Sequence, residues 1–247
     1  MKLIVWNSQG NKWDLFWNQY VNPAITNNPN EIVLGLLVEA GWPPWQPNQD
    51  VRCGHPYHNQ TRYGNSDNSF WIPWVKTFSD DHTNSRCSIG GILKQYDYRV
   101  EYIASNLGPT RPFVRLELGL GKYGGRSLTV FLVHLTSGAT RNTWKELALF
   151  DQISQYLPVG STGAMIVGDI NVNLQTGPPT LKDDRWRIVN TNQQTLASGG
   201  ELDYGFEYRT KKNFSAQVQI LQQYKTPNGN PSNPSDHSIL QYQLAIF

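Results

Sequence analysis

The sequence predicts an α/β domain rich in strands, folded as two packed sheets with two principal helices on their outer faces. Three observations lead there. Short apolar runs of strand length recur along the whole chain, and two packed sheets accommodate that many strands in one domain. Two other stretches space their apolar residues at helical intervals. No internal repeat, low-complexity linker or shift of composition divides the 247 residues, so 1–247 reads as one domain.

The elements follow in order. MKLIVWN is an apolar run ending in Asn7. In NKWDLFWNQYVNP, Trp13, Phe16, Trp17, Tyr20 and Val21 fall at i, i+3, i+4, i+7 and i+8, the stripe of an amphipathic helix that Asn11 can cap and Pro23 stops. EIVLGLLVEAG is a second apolar run and carries Glu39 at its end. Residues 42–86 are dominated by Trp, Pro, Asn, Gly, Asp and Ser, and read as long loops around one strand near Phe70 to Phe78. CSIGGILKQY, YRVEYIAS and RPFVRLELGL continue as a meander of short strands. SLTVFLVHL reads as a buried strand ending in His134. TWKELALFDQISQYL places Leu147, Phe150, Ile153 and Leu157 at helical spacing, with Thr143 and Glu146 set as a capping box. GAMIVGDIN is one more run, ending in Asp169, and the tail alternates loops with strands up to SILQYQLAIF.

Composition narrows the function. With 38% hydrophobic and 16% charged residues the chain is globular, with a surface that relies on Asn, Gln, Ser and Thr. A formal net charge of +2 excludes a protein that wraps nucleic acid by bulk charge, so a polyanionic partner must meet a local basic patch. No apolar run approaches the ~20 residues of a transmembrane helix, and any export signal is expected to have been removed already. Cys53 and Cys87 are too few and too far apart for a structural zinc site; an even count fits one disulfide in an oxidising compartment, or two reduced thiols.

Asn7, Glu39, His134 and Asp169 each finish an apolar run, where a buried strand would not choose a polar group. Singly, each is an ordinary turn residue or cap. Together they predict strands that end at one edge, where sites are built. Two carboxylates and an amide oxygen suit a hard divalent cation such as Mg²⁺, which can act as Lewis acid on a phosphate oxygen. Asp169 and Asn171 in GDIN can orient a water and offer an amide to phosphate, while Arg111 and Arg115 can clamp a phosphodiester.

WNSQG, EAG, GDIN and SDH, in that order over nearly the whole chain, resemble the endonuclease/exonuclease/phosphatase superfamily. Within it, EAGWPP, TRP and ASGGELDYG are similar to the active B subunits of cytolethal distending toxins. The resemblance implies a deoxyribonuclease-like, four-layer α/β sandwich of two packed mixed sheets with outer helices. It implies Glu39 as principal metal ligand with Asn7 and Asp236 close by, and His134 and His237 as catalytic imidazoles flanking the scissile phosphate. Asp203 would support His237, Asp169 and Asn171 would handle the attacking water and the phosphate, and Arg111 would contact phosphate. The activity implied is a Mg²⁺-dependent DNA endonuclease, with Mn²⁺ or Ca²⁺ as substitutes. Its setting would be the active subunit of a secreted bacterial genotoxin, partnered by carrier or receptor-binding subunits and acting in the host nucleus. A phosphoinositide phosphatase using the same centre and a weakly catalytic assembly subunit are the alternatives.

Two departures stand out. Residues 51–100 contain no Glu to support His134, which leaves a backbone carbonyl, water, Asp67, Asp80 or Asp81, and Val38 replaces the Gln that commonly precedes the metal-binding Glu. Trp42 and Trp45 in GWPPW read better as a packed proline loop than as base-stacking residues. The HPYH run around His55 and His58 lacks the further ligand that a metal site requires.

Overall fold

The computed structural model describes residues 1–9, 12–40, 113–120, 126–137, 141–177, 179, 181–210, 214–223 and 235–246, together with strands at 58–63, 70–76, 88–94 and 98–103. In chain order, β1 (Lys2–Asn7) leads into α1 (Trp13–Phe16), a π-turn (Trp17–Val21), α2 (Asn22–Asn27) and β2 (Val33–Val38). The next strands are β3 (His58–Tyr63), β4 (Phe70–Lys76), β5 (Ser88–Lys94), β6 (Tyr98–Ile103), β7 (Phe113–Leu120) and β8 (Arg126–His134). Helix α3 (Arg141–Ala148) runs into a 3₁₀ segment (Leu149–Tyr156), and β9 (Ser161–Asp169), β10 (Trp186–Val189), β11 (Asp203–Arg209), β12 (Phe214–Gln222) and β13 (Ile239–Ile246) complete the order.

A first, seven-stranded sheet is ordered β12-β13-β1-β2-β5-β4-β3, and a second, six-stranded sheet β10-β11-β9-β8-β7-β6. Side chains alternate along each strand, so each sheet has two apolar faces to cover. Leu3, Val5, Leu34, Leu36 and Val38 of the first sheet meet Leu116, Leu128, Val130, Leu132, Met165 and Val167 of the second in one shared core. The intervening positions Ile4, Trp6, Val33 and Leu37 point the other way, under Trp13, Phe16, Trp17, Val21 and Ile25 of the first helical layer. On the second sheet, Phe131, Val133, Ala164, Ile166, Tyr204 and Phe206 pack beneath Leu147, Leu149 and Phe150. The result is a four-layer sandwich with helices outside both sheets.

Three expectations about elements need correction. Pro23 does not stop the first helix: helical backbone continues through the π-turn into α2, and Pro23 falls in the first turn of α2. Thr143 and Glu146 form no capping box, because α3 already begins at Arg141. Instead the Thr143 hydroxyl donates to the Thr136 carbonyl at 2.5 Å, and the Glu146 carboxylate accepts from the Thr136 N–H at 2.7 Å and its hydroxyl at 2.8 Å. The loop-rich stretch holds two strands rather than one, since β3 pairs antiparallel with β4 through polar residues that carry no strand signature. Asn11 lies outside the described residues.

Two parallel pairs fix where the site forms. β1 lies parallel to β2 and β8 parallel to β9, each joined by a helical crossover. Parallel strands finish at the same end, so Asn7 lies in register with Val38, one residue before Glu39, and His134 with Asp169.

Candidate active site

The antiparallel neighbours enter where the parallel strands leave. Asp203, the first residue of β11, is in register with Asp169, and β13, which His237 precedes by two residues, runs antiparallel to β1. Asn7, Glu39, His134, Asp169, Asp203 and His237 therefore converge, and all are buried. The carboxylate of the SDH motif, Asp236, has a side chain 43% exposed at the rim.

The contacts within this cluster are specific. His237 Nδ1 meets Asp203 Oδ2 at 2.8 Å. The Asn7 side-chain amide donates to Asp169 Oδ2 at 2.9 Å and lies 3.4 Å from His237 Nε2. His134 Nε2 lies between two carboxylates, 3.5 Å from Glu39 Oε1 and 3.7 Å from Asp169 Oδ2. Among the described residues, then, the carboxylates beside His134 come from Glu39 and Asp169, whereas Asp67, Asp80 and Asp81 lie outside them. Glu39 adopts a left-handed backbone (φ 50°), an uncommon conformation for Glu that turns the chain sharply as it leaves β2.

Burial and charge shift the titrations. Burial, reinforced by Asp203 and Glu39 and opposed by His237 and the Asn7 amide, pushes the Asp169 carboxyl up to about 7. Burial alone would lower the His237 imidazole, but Asp203 outweighs it, with Asp169 and Asp236 adding to the effect, and holds the ring up to about 10. Because Asp203 occupies Nδ1, the Nε2 edge is the one left to face Asn7 and Asp236.

The donor set fits a divalent cation. Four carboxylates against two imidazoles leave an excess of negative charge at a buried edge, and Asp236 Oδ1 is buried with no hydrogen-bond partner among the described residues. Ligand atoms of Asp169, Asp203 and His237 lie within 4.8 Å of one another and could hold a metal. There, however, a cation would compete with the proton shared by His237 and Asp203.

No protein-family model matches the chain, and no curated protein matches it in sequence. Solved structures do match in fold. CdtB, described as the biologically active subunit of cytolethal distending toxin, superimposes with a TM-score of 0.70 at 18% identity, over 100% of this chain and 97% of CdtB. A chain of the cytolethal distending toxin from Actinobacillus actinomycetemcomitans gives 0.68 at 19% identity, over 98% and 97%. An endonuclease/exonuclease/phosphatase family protein from Leptotrichia buccalis gives 0.61 at 12% identity over the full length of both. The chain shares their fold.

Not every sequence-predicted residue of this CdtB-like sandwich joins the cluster. Asn171 holds it from behind: its N–H donates to Asp169 Oδ1 at 2.9 Å, and its side-chain amide donates to the Leu135 carbonyl at 2.8 Å rather than outward to a phosphate. Arg115 stands opposite Phe131 of β8, three residues or about 10 Å along the strand from the level of His134. Its guanidinium pairs with Glu117 at 3.1 Å, two positions on and on the same face, so the structure does not bring it to the site. Arg111, Cys53 and Cys87 lie outside the described residues, as do Trp42, Trp45, His55 and the side chain of His58.

Several supporting residues were not foreseen. The Ser235 hydroxyl donates to the Asn7 carbonyl at 2.7 Å and accepts from the His237 N–H at 3.1 Å, fastening the entrance of β13 to the end of β1. Gln9 Oε1 accepts from the Asp236 N–H at 3.3 Å. The Lys12 ammonium donates to the Ser8 carbonyl and, at 3.1 Å, to that of Gln9; burial lowers its pKa while Glu39 and Asp236 pull it back up. Ser235, within SDH, and Gln9, within WNSQG, were the two that lay inside motifs legible in the sequence.

Proposed function

We propose that the chain is a divalent-metal-dependent phosphodiesterase that cuts DNA as an endonuclease, and serves as the active subunit of a secreted bacterial genotoxin. The observation that carries the reading is the 2.8 Å His237–Asp203 contact set beside Asp169, Asn7 and the Glu39–His134 pair in one buried edge. Glu39, Asn7 and Asp236 would hold Mg²⁺, with Mn²⁺ or Ca²⁺ as substitutes; when bound, the cation supplies Lewis-acid stabilisation of charge on the phosphoryl oxygens.

The chain's own residues supply the proton transfers. Asp169, with a carboxyl near 7, takes a proton from the attacking water while the Asn7 amide and the Asn171 N–H hold it in place. As the water oxygen bonds to phosphorus, the P–O bond to the leaving group breaks. His237, kept protonated by Asp203, gives its Nε2 proton to the departing oxygen. His134, between Glu39 and Asp169, donates to a phosphoryl oxygen on the opposite side.

The toxin setting is supported by the likeness to CdtB and to cytolethal distending toxin, and implies carrier or receptor-binding subunits, secretion, and action in the host nucleus. Relaxation of supercoiled plasmid with Mg²⁺ tests the reading, run beside inorganic phosphate release from phosphoinositides in the same preparation. Nicking that is lost in the His134→Ala/His237→Ala double variant is expected. Phosphate release without nicking would instead make the protein a phosphomonoesterase, and nicking that survives the double variant would refute the assigned site.

A further inference from the structure

We propose that Thr195 is a positioning residue that clips the Asp203–His237 pair together from behind, an inference that rests on the catalytic reading of that pair. Thr195 is fully buried and reaches both partners. Its hydroxyl accepts from the N–H groups of Leu202 and Asp203, each at 3.0 Å, which sets the start of β11 and with it the Asp203 carboxylate. Its carbonyl accepts from the Ser238 N–H at 2.8 Å, immediately after His237. The next two residues continue alongside the SDH motif: Leu196 bridges His237, and the Ala197 N–H donates to the Asp236 carbonyl at 2.8 Å.

Asp203 belongs to the second sheet and His237 to the approach of β13 in the first, so their hydrogen bond spans two sheets held together mainly by non-directional apolar packing. Such packing fixes separation well and angle poorly, whereas a charge-assisted hydrogen bond depends on both. A side chain bonded to one partner's backbone, with its own backbone bonded beside the other, converts two independent placements into one. The clip is itself braced. The Thr195 N–H donates to the Gly200 carbonyl at 3.0 Å, and the buried Glu201 carboxylate accepts from the Thr191 N–H and hydroxyl, each at 2.7 Å, and from the Asn192 N–H at 3.1 Å.

Thr195→Val keeps the shape and removes the acceptor, and Thr195→Ser restores it. In the Val variant the downfield Nδ1–H proton resonance of His237 is expected to shift or broaden in NMR spectra. Its kcat for plasmid nicking should fall about 10-fold with KM within about 2-fold, because misplacement of a catalytic group acts on the transition state. The Ser variant should return both readouts toward wild type, which simple loss of packing would not produce. A Val variant with the wild-type resonance and wild-type kcat overturns the clip. Should that variant not fold, amide exchange in the wild-type protein decides: slow exchange at Leu202 and Asp203 supports the clip and fast exchange refutes it. The NMR and exchange readouts need no turnover, so a shifted resonance in a protein whose wild type never cuts DNA would support the clip while refuting the endonuclease reading.

Discussion

The two sheets use one device and deliver different chemistry. In each, a helical crossover returns the chain to a parallel neighbour, and both strands of the pair end in polar residues at the same edge. The first sheet brings Asn7, Glu39, Asp236 and His237, and the second brings His134, Asp169 and Asp203. The short contacts join across the gap: Asn7 to Asp169, His237 to Asp203 and Glu39 to His134. The site is thus a seam between sheets, and the 2.8 Å His237–Asp203 contact, the shortest carboxylate–imidazole contact among the described residues, crosses it. The sheets also differ in how they make room. At the end of β2 the left-handed residue is Glu39 itself; within β9 it is Gly168, at φ 134°, just before Asp169. A Cβ there would lie 2.1 Å from the Val133 carbonyl oxygen, so β8 and β9 approach closely only because none is present.

Breaking the seam from either side should have the largest effect. Because each sheet contributes one imidazole, His134→Ala and His237→Ala should each cut nicking about 100-fold or more, and the pair together less than multiplicatively, measured as initial rates on supercoiled plasmid. Gly168→Ala should destabilise by about 3 kcal/mol or more in urea unfolding, since it combines a strained φ with a backbone obstacle. Gly35→Ala in the first sheet should cost less, about 1–3 kcal/mol, because its obstacles are the side chains of Val21 and Phe16, at 2.5 and 2.8 Å, which can shift. Mg²⁺ at a hundredfold excess over its Kd should stabilise by about 2.7 kcal/mol in thermal melts, and Glu39→Gln, on the first sheet, should remove most of that shift.

A separate handle on the seam is pH dependence. The folded-state pKa of His237, about 10, lies above its usual 6.5, so its contribution to stability is fully present below pH 6.5 and is lost as pH rises through 10. With chelator present, Asp203→Asn should flatten the decline of the urea midpoint between those limits. An unchanged slope would mean that the pair across the seam is not ionic.

Much of this was legible because burial on both faces of a strand leaves a mark in the sequence. A run such as LIVWN or AMIVGD must be apolar up to its end, and its first polar residue marks the point where the strand leaves the core. The helical stripe under Trp13 to Val21 was equally plain, while its continuation past Pro23 was not, because a π-turn has no compositional signature. Arg115 looked like a phosphate ligand only while its face and its Glu117 partner were unknown. The polar strand β3 looked like loop, since its pairing with β4 lies in backbone hydrogen bonds that any residue can make.

By itself, then, the sequence determined the layered α/β architecture and the polar residues that stand at strand ends, because hydrophobic periodicity and chemical type are local properties. The tertiary structure decided the partnerships. Glu39 stands beside His134 although 94 residues lie between them in sequence, and Thr195 fastens Asp203 to the approach of His237. Such pairings depend on strand order, register and the gap between sheets, which arise only when the whole chain has packed.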